Sequence, residues 1–204
     1  MPFSLPPVYP ITPESLGGHA LLVWVEELLS AGCRFFQYRR KSGGDAAKLQ
    51  ELKIVLALAR EAGARVIVND RPDLCLLAGA DGVHLGQGDL HSDEVRRFLP
   101  HGALIGLSTH NLEQFEEASG LPVDYLALGP VFATASKRDP DPVVPAAHQE
   151  AALKRADKPV VAIGGITPAR ARELFVRGFS SIAVISCLER APAAGFKALM
   201  AELP

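Results

Sequence analysis

The sequence predicts an α/β protein, a single (β/α)8 barrel with short loops. Three observations predict it. Eight short apolar bursts recur along the 204 residues. Stretches of helical periodicity lie between them. Several bursts lack a polar alternation, which is the pattern of strands buried on both faces. Strands alternating with helices make a parallel sheet, and eight such units in one domain favour closure. The expected domain is residues 1–204 as a whole. The competing architecture is an open doubly wound sheet. A dinucleotide site in that fold needs a GxGxxG-like turn after the first strand, and the sequence has none.

In chain order the expected strands are Val8–Thr12, Cys33–Arg39, Val66–Asn69, Gly82–Leu85, Leu104–Ser108, Tyr125–Gly129, Pro159–Gly164 and Ser181–Ser186. The expected helices are Ala46–Ala62, Pro72–Ala78, Asp93–Leu99, Asn111–Ser119, Ala146–Ala156, Pro168–Arg177 and Pro192–Glu202. In the first of these, Leu49, Leu52, Val55 or Leu56, and Ala59 fall at spacings of three and four, an apolar stripe with charges opposite. Asn111 stands at a cap position. Thr167 followed by Pro168 matches a Thr cap with Pro at the first helical position. Gly63, Gly79 and Gly178 follow helical patterns and read as C-caps.

Composition narrows the class. Hydrophobic residues make up 48% and charged residues 22%, enough for a substantial core and unlike a disordered chain. With 21 basic and 23 acidic residues, the net charge of −2 gives no overall field for nucleic acid. No apolar run approaches the ~20 residues that cross a bilayer, and the N-terminus does not read as a signal peptide. Cys33, Cys75 and Cys187 form an odd set with no CxxC pair, against a disulfide framework or a cysteine-built zinc site. A cytoplasmic protein fits best. Cys75 and Cys187 read as buried small hydrophobes.

The polar residues gather at the expected strand ends, the catalytic face of a barrel. After the second strand, Gln37, Arg39 and Lys41 share one side by the period of two. They could grip a diphosphate, Arg as a planar fork and Lys as a point charge; the alternative is a solvated loop with ordinary surface charges. Asp70 and Asp89 follow the third and fourth strands. They fit a magnesium site completed by substrate oxygens, or turn and helix caps. His84 reads as a packed strand residue. His110 reads as a residue at the mouth or as an exposed helix start. The six histidines form no HExxH. Gly129–Lys137, with Thr134, Ser136 and Lys137, suits a phosphate lid. Gly164-Gly165 after the seventh strand and Ser186 after the eighth fall where barrels often bind a phosphate, and glycine lets backbone approach an anion closely.

These pieces resemble the thiamine-phosphate synthase family, collinearly across nearly the whole chain. The resemblance is carried by Gln37-Tyr38-Arg39-Arg40-Lys41, Asn69-Asp70-Arg71, Ala80-Asp81-Gly82-Val83-His84-Leu85-Gly86-Gln87-Gly88-Asp89, Ile105-Gly106-Leu107-Ser108-Thr109-His110, Leu128-Gly129-Pro130-Val131-Phe132 and Ala162-Ile163-Gly164-Gly165-Ile166. The segment from Ala80 to Asp89 is the most specific.

The resemblance implies a TIM barrel that uses Mg²⁺ and two phosphorylated heterocycles, with no nucleic-acid or membrane partner. It would join 4-amino-5-hydroxymethyl-2-methylpyrimidine diphosphate to 4-methyl-5-(2-phosphoethyl)thiazole, carboxylated in some members. The products would be thiamin phosphate and diphosphate. It implies that Gln37, Arg39, Lys41 and Asn69 hold the pyrimidine diphosphate and that Asp70 and Asp89 bind Mg²⁺. Ser108, Thr134, Ser136 and Lys137 would contact the diphosphate and the incoming substrate, while Gly165, Val184 and Ser186 frame the thiazole phosphate. Arg39, Lys41, Ser108 and Lys137 are the implied catalytic set.

Several positions depart from the family pattern. Ser136 stands where Thr is usual and Ala133 where Pro is common. Arg138–Pro145 replaces a Gly-rich turn. Tyr38 and Arg40 replace the usual Leu and Glu, on the side pointing away from the grip. Two other readings compete. One is the related thiazole tautomerase, which would use His110 for proton transfer but needs no magnesium carboxylates. The other is a non-catalytic module that binds a phosphorylated ligand.

Overall fold

A computed structural model describes residues 4–134 and 141–203. Eight strands alternate with eight α-helices: β1 (Val8–Pro10), α1 (His19–Ser30), β2 (Phe35–Tyr38), α2 (Asp45–Glu61), β3 (Arg65–Asn69), α3 (Pro72–Ala78), β4 (Gly82–Leu85), α4 (Ser92–Phe98), β5 (Leu104–Thr109), α5 (Leu112–Ser119), β6 (Tyr125–Leu128), α6 (Ala146–Arg155), β7 (Val160–Ile163), α7 (Pro168–Arg177), β8 (Ser181–Val184) and α8 (Pro192–Met200). A short 3₁₀ turn, Ser186–Leu188, precedes α8. All strand pairs are parallel, in the order β1-β8-β7-β6-β5-β4-β3-β2. A parallel bridge between Ile11 and Gln37, with the Thr12 N–H donating to the Gln37 carbonyl at 2.9 Å, brings β1 to β2 and closes the ring. This is the expected (β/α)8 barrel.

All eight expected strands are present, several trimmed at their ends. Ile11 and Thr12 leave β1 but still serve its closure. The helix that periodicity did not flag is α1. It buries Leu21, Trp24, Val25, Leu28 and Leu29 at spacings of three, four and one, and it begins behind Gly18 with no side-chain cap. Asn111 caps α5 by accepting from the Gln114 N–H at 2.8 Å. Thr167 occupies the cap position of α7 with Pro168 behind it, but its hydroxyl makes no cap hydrogen bond. There the fixed φ of proline starts the helix. Gly79 and Gly178 end α3 and α7 with φ of 68° and 106°, and Gly63 follows α2 with φ 66°. Cys33 and Cys75 are buried and Cys187 is half-buried, all as free thiols.

Alternation along the strands sorts the core into two layers. Val8, Phe36, Val66, Val68, Val83, Leu85, Ile105, Leu126, Val160 and Ile182 face outward into the layer packed by the helices. Tyr9, Ile11, Phe35, Ile67, Leu104, Tyr125, Ala127, Val161 and Ala183 fill the barrel interior. By the same period of two, Gln37, Asn69, His84, Gly106 and Ser108 point inward. The interior is therefore apolar below and polar above. Gly106 is required by this packing: a Cβ there would lie less than 3.0 Å from the Tyr125 ring, so a side chain would expel that ring. No helix among the described residues is long and apolar enough to cross a membrane.

Candidate active site

The C-terminal strand ends surround a cavity of about 500 Å³. Gln37, Arg39 and Lys41 border it from β2 and the turn behind it, Asn69 and Asp70 from β3, and Asp89 from the β4 loop. Across the opening, Ser108, Thr134, Gly165, Val184 and Ser186 border it from β5 through β8. Every anticipated site residue that the structure describes thus meets at one cavity. Ser136 and Lys137 lie outside the described residues.

The charged rim has a definite arrangement. Lys41 Nζ lies 3.2 Å from Asp70 Oδ2. Asp70 and Asp89 both border the cavity, near enough for the charge of one to act on the other. Asp89 also accepts the Gly86 N–H at 2.6 Å. Partial burial, followed by the like charge of Asp70, pushes the Asp89 carboxyl above its ordinary pKa, although the Gly86 N–H and Lys41 pull the other way. Asp70 holds φ at 60°, the one non-glycine residue with positive φ among those described. Asp tolerates this region better than most side chains, and strain of this kind gathers at functional sites.

Glu14, in the loop after β1, organises the cationic side. It accepts from the backbone N–H groups of Lys41 and Ser42, each at 2.9 Å, and from the Ser42 hydroxyl at 2.8 Å. Arg39 Nη1 lies 3.4 Å from Glu14 Oε2, the oxygen that also accepts the Lys41 N–H. Burial alone would raise the Glu14 pKa, but these donors and Arg39 together lower it. Glu14 therefore stays ionised and pins the turn that carries both cations. Tyr38 and Arg40 turn away, as expected. The Tyr38 hydroxyl donates to Glu51 at 2.8 Å and Arg40 donates to the Leu16 carbonyl at 2.7 Å. Arg71 also leaves the cavity, pairing with Asp45 and Asp73.

Below the rim lies a chain of buried polar groups that the sequence did not disclose. Gln37 Nε2 donates to the Tyr9 hydroxyl at 2.9 Å, and the Tyr9 and Tyr125 hydroxyls are 2.9 Å apart. Tyr125 Oη is 3.1 Å from His84 Nδ1, and His84 Nε2 is 2.8 Å from Ser108 Oγ. The His84 and Tyr125 rings stack with centroids 5.6 Å apart. His84 is packed within its strand, as read, but it also faces the cavity. Burial lowers its pKa to about 4, so it is neutral at physiological pH. Burial also raises both tyrosines well above their ordinary range. The available signal for this chain was strand parity, which turns Tyr9, Gln37, His84, Ser108 and Tyr125 to the same interior.

His110 does reach the mouth. Its Nδ1 is 2.8 Å from the Gly129 carbonyl and 3.5 Å from Asp141 Oδ2. Gly164 and Gly165 have φ of 103° and 64°. Side chains there would collide with Pro130 and with the Ala133 carbonyl, so glycine alone lets the β7 turn pack under the β6 loop while its backbone borders the cavity. Arg170, from the first turn of α7, donates to the Gly165 carbonyl at 2.7 Å and lies 4.7 Å over the Phe132 ring.

A parallel barrel with cations, carboxylates and a glycine turn gathered at the C-terminal rim defines the class: a (β/α)8 barrel with a polar cavity at the face where such barrels carry their active sites. The model of the family described as thiamine monophosphate synthase matches residues 8–188. The chain belongs to that family. A thiamine-phosphate synthase of Pelotomaculum thermopropionicum is 40% identical over 169 residues, covering 83% of this chain and 78% of the relative. One from Synechococcus sp. strain WH7803 is 45% identical over 172 residues, covering 84% of this chain and 48% of the relative. The chain thus spans about half the length of some curated relatives it matches. The solved thiamine phosphate pyrophosphorylase of Pyrococcus furiosus superposes with a TM-score of 0.85 at 31% identity, over 96% of this chain and 94% of that one.

Proposed function

We propose that this chain joins 4-amino-5-hydroxymethyl-2-methylpyrimidine diphosphate to 4-methyl-5-(2-phosphoethyl)thiazole, giving thiamin phosphate and diphosphate. If the thiazole is the carboxylated form, CO2 leaves as well. The observation that carries the reading is the rim cluster of Lys41, Asp70 and Asp89, with Arg39 beside it on the same turn.

The reaction needs little covalent help from the protein. The aminopyrimidine ring stabilises positive charge on its exocyclic CH2, so the C–O bond to diphosphate breaks ahead of attack. The thiazole nitrogen then supplies the electron pair for the new C–N bond. Arg39 and Lys41 offset the growing charge on the departing diphosphate, and Lys137 is proposed to join them. Asn69 and Ser108 orient the pyrimidine diphosphate. The Gly164-Gly165 turn, with Thr134, Ser136, Val184 and Ser186, frames the thiazole phosphate. The walls exclude water, which would otherwise capture the cation.

The residues also fit a magnesium ion. Among the described residues no group of three or more His, Cys, Asp or Glu converges, so a protein-only cage is not available. Two neighbouring carboxylates at one cavity rim, one with a raised pKa, instead suit a hard cation that keeps waters and phosphate oxygens. Asp70 and Asp89 would hold it, and when bound it would neutralise charge on the leaving diphosphate. We place the reaction in the cytoplasm, where the three free thiols would stay reduced.

The test is to incubate the protein with both precursors and Mg²⁺ and to follow thiamin phosphate. Asp89→Ala should lower turnover at saturating thiazole phosphate by on the order of 100-fold, the effect of removing one electrostatic stabiliser. Unchanged turnover and unchanged Mg²⁺ dependence would remove the metal role. Isomerisation of the carboxylated thiazole without condensation would select the tautomerase, and binding without either reaction would select the silent module.

A further inference from the structure

The polar chain beneath the cavity has two ends, and both reach the ligand space. Gln37 and Ser108 border the cavity from β2 and β5, on different sides of the barrel. Tyr9, Tyr125 and His84 connect them through four contacts of 2.8–3.1 Å. Each tyrosine hydroxyl carries one proton and sits between two chain partners. A neutral imidazole has one N–H and one bare nitrogen. The chain therefore has two self-consistent polarities. In one, Gln37 donates to Tyr9, Tyr9 to Tyr125, and Tyr125 to His84 Nδ1. His84 then carries its proton on Nε2 and donates to Ser108. In the other, every bond is reversed. An imidazole between two partners converts a choice at one end into a choice at the other.

The polarity decides what the cavity floor can read. Forward, the Gln37 carbonyl oxygen is left as an acceptor and the Ser108 hydroxyl proton is left as a donor. Reversed, Gln37 offers its NH2 and Ser108 offers only lone pairs. The placement of the Gln37 amide, Nε2 toward Tyr9 at 2.9 Å, corresponds to the forward sense. That sense matches a ligand with an amino donor at Gln37 and an acceptor at Ser108, whether a ring nitrogen or a phosphoryl oxygen.

We propose that Gln37, Tyr9, Tyr125, His84 and Ser108 form one polarised relay, in which His84 as its Nε2–H tautomer is a positioning residue that fixes Ser108 as a donor and Gln37 as an acceptor and so selects an amino-substituted heterocycle. His84 and the two tyrosines act through Ser108 and Gln37. The substrate identity rests on the function proposed above, whereas the tautomer does not. Gly106 belongs to the same device, since its missing side chain leaves the space in which the Tyr125 ring stacks on His84.

The experiment has two arms. The first is nitrogen-15 NMR of the wild-type protein with labelled histidine, the His84 signals being assigned by their loss in His84→Gln. The expected result is a protonated Nε2 and a bare Nδ1. A dominant Nδ1–H form would overturn the proposal, and this arm is decisive even if variants fold poorly or no condensation is observed. The second arm measures KM for each substrate and direct binding of the pyrimidine diphosphate. His84→Leu should weaken the pyrimidine substrate about tenfold, the size of one lost hydrogen bond, and leave the KM of the thiazole phosphate in place. His84→Gln, whose amide restores a donor toward Ser108, should recover most of that loss. Equal loss for both substrates, or no recovery with glutamine, would reduce His84 to a packing residue. If the NMR result holds and condensation fails, the functional assignment falls and the relay stands.

Discussion

Gly165→Ala and Gly63→Ala form a matched pair that isolates the contact between the β6 and β7 loops. Their φ angles are 64° and 66°, so a methyl group meets the same backbone penalty at both sites, about 1–2 kcal/mol in the left-handed region. The gain from a less flexible unfolded chain, about 0.4–1 kcal/mol, is also common to both. The surroundings differ. A Cβ at Gly63 meets nothing within 4 Å, whereas at Gly165 it would fall inside contact distance of the Ala133 carbonyl oxygen and 2.9 Å from the Phe132 Cβ. Backbone and near-backbone atoms cannot swing aside as a flexible side chain does. The excess cost at Gly165 is then that of overpacking, about 1–3 kcal/mol. With a urea slope of about 2 kcal/mol/M, the Gly165 variant should unfold about 0.5–1.5 M earlier than the Gly63 variant. If the β6 loop yields instead, stability is spared but the turn no longer borders the cavity as it did, and affinity for the thiazole phosphate falls. Equal urea midpoints together with unchanged affinity would refute the reasoning.

His84 makes stability depend on acid. Its ordinary pKa of 6.5 falls to about 4 in the fold because of burial, with Asp70 favouring the charged ring and His110 opposing it. Between those values the unfolded chain binds the extra proton and the folded one does not. The stability contribution is therefore complete above 6.5 and is lost as pH falls toward 4, about 2–3 kcal/mol by about pH 4.5. Urea midpoints across this range should fall more steeply for wild type than for His84→Gln, and parallel curves would contradict the assignment. Gly106→Ala should cost about 1–3 kcal/mol by forcing the Tyr125 ring out of place. A wild-type thermal midpoint, or an unaltered His84 nitrogen spectrum in that variant, would count against the packing described.

The amino-acid order by itself determined the barrel, because eight alternations of strand and helix pattern admit few parallel arrangements, and it placed the rim. Arg39, Lys41, Asp70, Asp89, Ser108, Gly165 and Ser186 stand beside strand ends, where local patterning and family resemblance both reach. It did not disclose α1. It left open whether Asp70 and Asp89 meet at a site or separately cap turns, since their spacing allows either. The closed sheet brings both to one cavity rim, by setting β3 beside β4 in a register that pairs Asn69 with His84, while Asp89 also caps its own turn through the Gly86 N–H. The relay from Gln37 through Tyr9, Tyr125 and His84 to Ser108 joins five different strands. A hydrogen bond across a barrel depends on which side chains converge at one depth inside it, and that depth is a property of strand tilt, register and the missing Gly106 side chain, none of which is written within any single segment.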